Sequence, residues 1–175
     1  MLTRIGKKSA PRDDDLVALL GDCHARIRSF VALGRALASA DAAEAAEVAA
    51  SAAAVARYFE LALPLHAEDE DASLAPRLRG RDAELDAALD AMGTEHREHA
   101  PRVTRLCELC RAIEREPASR ATLAPELAAL VDSLGRDFEA HLEREERVVF
   151  PAIDARLDAA VRGAIVGELR ARRAR

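Results

Sequence analysis

Tryptophan is absent from this chain, tyrosine occurs once and phenylalanine four times, so aromatic residues make up only 3% of the sequence. A chain this poor in the side chains that favour pleated, half-buried strands is a weak candidate for a sheet. Its abundant Ala, Leu, Arg and Glu are strong helix formers. The core must be built from Ala, Leu and Val, and 175 residues suffice for one domain around one core. An all-α fold is the expectation.

Cysteine is scarce as well. Three thiols, Cys23, Cys107 and Cys110, are an odd number, which argues against a disulfide framework as the organising device. Cys107 and Cys110 resemble a redox pair, but on a helix they fall on the apolar stripe and read as buried thiols. No uninterrupted apolar run approaches the ~20 residues that cross a bilayer, and the N-terminus MLTRIGKKSAPRDDD lacks the apolar centre of a secretory signal. The expectation is a cytoplasmic protein with reduced thiols and no membrane partner. An excess of positive charge is missing too: 26 Lys and Arg stand against 31 Asp and Glu, interspersed, for a net charge of −5. That distribution argues against a nucleic-acid partner.

What is present is a repeated pairing of histidine with glutamate. His141, Glu145 and Pro151 in HLEREERVVFP repeat His66, Glu70 and Pro76 in HAEDEDASLAP, each displaced by 75 residues. On a helix, residues four apart share one face, so each half of the chain offers an imidazole and a carboxylate side by side.

Residues 1–12 are polar and aperiodic and read as a loose arm, leaving residues 13–172 as the domain. Asp13, Asp14 and Asp15 suit a helix N-terminus, and Leu16, Leu19, Leu20, Cys23, Ile27, Phe30, Val31 and Leu37 follow at helical spacing. His24 lies beside that stripe. Asp41 is the candidate cap of a second helix, which runs past a kink at Pro64 to His66 and Glu70. The run 74–80, with Pro76 and Gly80, reads as a connection. A third helix starting near Arg81 or Asp82 carries His96 and His99, with a bend expected from Gly93 and Pro101. A turn at 115–121 precedes a fourth helix through Phe138, His141 and Glu145. Pro151 then separates a shorter helix, whose Arg-rich end RARRAR reads as solvated and frayed.

Long helices with short joins imply an up-down-up-down antiparallel four-helix bundle with a short C-terminal fifth helix. All five histidines, His24, His66, His96, His99 and His141, fall on inner stripes. A lone histidine there is usually a hydrogen-bonded core residue. Five of them with two glutamates would be costly to bury without a compensating cation. Seven donors exceed a tetrahedral zinc site and lack the oxygen-rich shell of calcium or magnesium. Two ions bridged by the carboxylates account for the number better, with iron preferred and manganese or zinc possible.

The paired HAEDE and HLEREERVVFP motifs, CHARIRSF in the first helix and EHREHAPRV in the third resemble the hemerythrin family, specifically its bacterial HHE cation-binding branch, over about residues 13–155. The resemblance implies a four-helix bundle with a non-haem di-iron centre that binds or senses oxygen, another small diatomic or iron. The alternative within the family is redox chemistry on oxygen, peroxide or nitric oxide. By resemblance the metal ligands are His24, His66, Glu70, His96, His141 and Glu145. His99 is added as a second donor from the third helix, three residues from His96 where oxygen carriers have a separation of four. The acid of the fourth helix stands at i+4, as in the HHE branch.

Overall fold

A computed structural model describes residues 15–39, 44–80 and 82–174. The arm at 1–12, the charges of Asp13 and Asp14, the cap assigned to Asp41, and Arg81 lie outside these residues. Within them the chain is helical and contains no strand. The helices are α1 (Leu16–Ser39), α2 (Ala45–Leu78), α3 (Ala83–Arg115), α4 (residues 120–156) and α5 (Ala159–Arg173).

Aspartates start three of them. Asp15 Oδ1 accepts from the amides of Val17 and Ala18, at 3.1 and 3.2 Å. Asp82 accepts from Leu85 and Asp158 from Val161, both at 2.8 Å. Each carboxylate thereby satisfies amides that the first helical turn leaves unpaired.

Prolines act differently from the sequence expectation. Pro76 and Pro151 were expected to end helices, yet α2 continues to Leu78 and α4 to Arg156. Ahead of Pro64, Pro76 and Pro151 the helix widens into a π-helical turn: Tyr58–Ala62, Asp69–Leu74 and Glu145–Val149. In each, the residue just before proline donates five residues back: Leu63 to Tyr58, Ala75 to Glu70 and Phe150 to Glu145. The wider turn makes room for a ring that would clash with the carbonyl four residues back. The connection after α2 therefore shrinks to the residues around Gly80, whose φ of 78° is the left-handed conformation glycine tolerates. Gly93 and Pro101 likewise leave α3 one continuous helix of 33 residues, with Pro101 exposed.

The tail also departs from expectation. Arg170, Arg172 and Arg173 belong to helix α5. Arg172 and Arg173 reach Asp69, which is only 1% exposed, at 2.8 and 2.7 Å. Two cations thus neutralise a buried carboxylate in the residue next to Glu70.

Cross-helix pairs tie the long helices together. Arg28 meets Glu139 and Arg35 meets Asp132 between α1 and α4; Phe30 stacks on Tyr58 between α1 and α2. Glu60 pairs with Arg111 between α2 and α3, and Arg102 with Asp137 between α3 and α4. α1 and α4 approach closely: a Cβ added at Gly135 would lie 2.9 Å from Val31 Cγ1.

The apolar core falls into two clusters. One gathers Ile27, Val55, Phe59, Val103, Ile113, Val131 and Phe138; the other Leu20, Leu74, Leu78, Met92, Val149, Ile153 and Ile165. Between them, in every long helix, lie histidines: 24 between 20 and 27, 66 between 59 and 74, 96 and 99 between 92 and 103, and 141 between 138 and 149. By length and composition α2 could also cross a membrane. Arg57 and Glu60 interrupt its apolar run, and its Val48, Ala52, Val55, Ala56 and Phe59 are buried in the first cluster.

Candidate metal centre

The polar layer draws side chains from α1, α2, α3 and α4 to one place. Donor atoms of His24, His66, Glu70 and Glu145 lie within 4.8 Å of one another, and so do those of Glu70, His96, His141 and Glu145. Both groups contain the same two glutamates. Glu70 Oε1 is 3.5 Å from His66 Nε2 and 3.9 Å from His24 Nε2, while Oε2 is 3.4 Å from His96 Nε2. Glu145 Oε2 is 3.1 Å from His24 Nε2, and Oε1 is 3.0 Å from His141 Nε2. Each carboxylate therefore directs one oxygen toward each group.

Among the described residues these atoms are buried and have no hydrogen-bond partner: His24 Nε2, both nitrogens of His66, Glu70 Oε2, His96 Nε2 and both oxygens of Glu145. Close approach without hydrogen-bond alignment, among atoms sealed from water, is costly unless something else satisfies them. The donor set fits two cations, each reached by two imidazoles and by both carboxylates.

The outward-facing ring nitrogens are held by a second set of acids. His24 Nδ1 bonds Glu146 at 2.9 Å, His96 Nδ1 bonds Asp71 at 3.1 Å, and His141 Nδ1 bonds Glu95 at 2.8 Å. A carboxylate only accepts, so in each pair the imidazole donates from Nδ1. In the neutral ring Nε2 is then free to ligate. Arginines hold two of these acids in place, Arg28 on Glu146 and Arg144 on Glu95. The sequence alone did not single out Glu95. Its signal was its place directly before His96 in EHREH.

Electrostatics follow from the crowding. Burial disfavours a charged His24, but Glu145, Glu70 and Glu146 outweigh it and raise the imidazole to about 10. His96 likewise rises to about 10 against burial, through Asp71 and Glu70. His141 is raised against burial by Glu145 and Glu95. His66, with no acid on Nδ1, is lowered by burial. Burial raises Glu70, but His66, His24 and His96 overcome it and hold the carboxyl well below the usual range.

His99 does not join either group. Three residues from His96, it is turned about 60° short of a full helical revolution. Its ring instead meets the edge of Phe138 at 5.1 Å and lies 5.9 Å from that of His141. Burial lowers its pKa. His99 also lines a cavity of about 890 Å³ between α2 and α3 that reaches His66, His96 and His141. Tyr58 stacks on Phe30 with ring centres 4.0 Å apart, as a packing residue. Cys107 and Cys110 are buried free thiols, pushed up by burial to about 11 and about 12, and so remain protonated.

A polar layer of this make-up, between two apolar clusters of a helical fold, defines a protein built around a candidate cation site. The chain matches the family model of the hemerythrin HHE cation binding domain over residues 15–153, with a further match over 102–172, and it belongs to that family. No curated protein and no solved structure matches it.

Proposed function

We propose that this protein holds a carboxylate-bridged pair of iron ions and binds or senses oxygen or another small diatomic at it. The observation that carries this reading is the sharing of Glu70 and Glu145 between both donor groups. His24 and His66 would serve one ion and His96 and His141 the other. Manganese or zinc suits the same donors. Bound there, iron would supply a change of oxidation state and an open coordination position for the diatomic. The chain's own part is to fix the rings through Glu146, Asp71 and Glu95, to exclude bulk water with the flanking apolar clusters, and to leave the His66–His96–His141 side open to the cavity.

The proposed architecture is the up-down-up-down antiparallel bundle with a short fifth helix. In support, partners run in opposite chain directions: 24, 28 and 35 of α1 meet 146, 139 and 132 of α4. On α3 and α4, 95, 102 and 105 meet 144, 137 and 126. A cytoplasmic location is proposed on the three free thiols.

One observation favours the second reading, an enzyme acting on oxygen, peroxide or nitric oxide: the cavity beside the centre is far larger than a diatomic requires. The optical spectrum of the iron-loaded protein, recorded anaerobically, in air and after removal of oxygen, separates the two. A band that forms and then disappears supports binding. A band that forms once while oxygen is consumed supports the redox enzyme.

A further inference from the structure

The cavity carries an inference of its own. At about 890 Å³ it has the size of a site for an organic molecule rather than a passage for a gas. It is elongated: its α3 lining extends from His96 to Arg115, roughly 28 Å along a helix that rises 1.5 Å per residue. Between those ends the walls are mainly apolar, with Phe59, Leu63, Val103, Cys107 and Phe138 facing one another across α2, α3 and α4.

The charges around it decide the kind of molecule. Glu60 is paired with Arg111, Glu68 with Arg172, Asp71 with His96 and Glu108 with Arg105. Among the described residues lining the cavity, Arg115 is the one charge with no ionic partner. It is itself exposed, in the last turn of α3, at the end remote from the histidines. A long apolar trough with one uncompensated cation at its outer end complements an amphiphile with one negative head.

We propose that this groove binds a linear aliphatic carboxylate, its head at Arg115 and its chain running inward over Cys107, Val103 and Leu63 toward His99. Binding rests on the groove alone and not on the metal-centre reading, so the two fail separately. A single anionic head is matched by a single guanidinium, and a flexible chain fills a narrow trough that a compact ring system would not. The chain's inner end would lie beside His99 and His66, which bounds the space left at the candidate metal centre.

Calorimetric titration of the protein with palmitate, with and without chelator, tests the proposal. Hexadecanol and hexadecylamine carry the same chain with neutral and cationic heads. Palmitate should bind at one site per chain and more tightly than either. Arg115→Glu should weaken palmitate by about tenfold while leaving hexadecanol unchanged, and Arg115→Lys should retain binding. Thr104 lines the groove and is exposed, so Thr104→Trp should obstruct all three ligands while its circular dichroism stays that of the parent. Ala100→Leu, also exposed in the groove, is a second obstruction should the tryptophan disturb folding. Absence of saturable binding, indifference to both obstructions, or equal loss of palmitate and hexadecanol in Arg115→Glu would overturn the proposal. Self-association that Thr104→Trp abolishes, without palmitate binding, would give the groove to a second copy and overturn it too.

Discussion

Glu145 and Glu143 differ in what they touch although only one residue separates them. Glu145 is 1% exposed and faces His24 and His141, whereas Glu143, about 200° round the helix, is exposed. On the proposed two-ion centre, Glu145→Ala should lower bound metal from about two ions per chain to one or none, because a shared carboxylate would serve both ions. Glu143→Ala should leave it unchanged, and Glu70→Ala against Glu68→Ala should show the same contrast. Equal loss within either pair, read by elemental analysis, would contradict the shared-carboxylate geometry. In the metal-free chain His24 and His96 hold their protons to about 10, against an ordinary 6.5. Folded pKa values above unfolded ones give stability that is complete below 6.5 and lost as pH rises through about 10. The chelated protein should therefore melt at progressively lower temperature across that window; a flat profile would refute it. Metal bound there would displace these protons, so loading at neutral pH should release protons, seen as a calorimetric heat that changes with the buffer's ionisation enthalpy. Of the seven candidate donors, the six that converge were legible because each His-x-x-x-Glu pair and each lone stripe histidine has its place fixed by helical periodicity. His99 was not, since an i+3 residue lies on the stripe but points past the site toward Phe138.

At the scale of the element, proline and the arginine-rich end carry the lesson. Caps and helix starts at Asp15, Asp82 and Asp158 follow simple side-chain chemistry, and two of them were readable. The π-helical turns were not, because residue preference alone favours ending a helix at proline, while here tertiary packing on both sides keeps it going. The spacing from Glu70 to Pro76 and from Glu145 to Pro151 is the trace they leave: each widened turn closes on the carbonyl of the glutamate itself. The end of α5 was misread for a related reason. Its arginines look solvated until the fold supplies Asp69, buried beside Glu70, as their partner. Arg172 is itself only 11% exposed on its side chain, so Arg172→Ala leaves a buried carboxylate short of one cation. The expected cost is about 3 kcal/mol in urea unfolding, below a full isolated-charge penalty because Arg173 remains. A change within about 0.5 kcal/mol would show that α5 is the loose tail its composition suggests.

Over the whole molecule, the fold is a pair of apolar clusters held apart by one polar layer, and that layer is where four of the chain's five histidines and its two repeated glutamates converge. The all-helical class was legible from the missing aromatics and the helical spacing of Leu, Val and Ile. The division of the core into two clusters was not, because it depends on side chains from α1 to α4 arriving at one level. Seven atoms in that layer, from His24, His66, Glu70, His96 and Glu145, have no hydrogen-bond partner among the described residues, and a bound cation would satisfy them. The most direct measurement is the metal content of the protein after loading with ferrous iron and removal of the excess. About two ions per chain are expected, retained on gel filtration and removed by chelator with a fall in melting temperature. A chain that retains no metal, and melts at the same temperature with and without chelator, would contradict the two-ion centre.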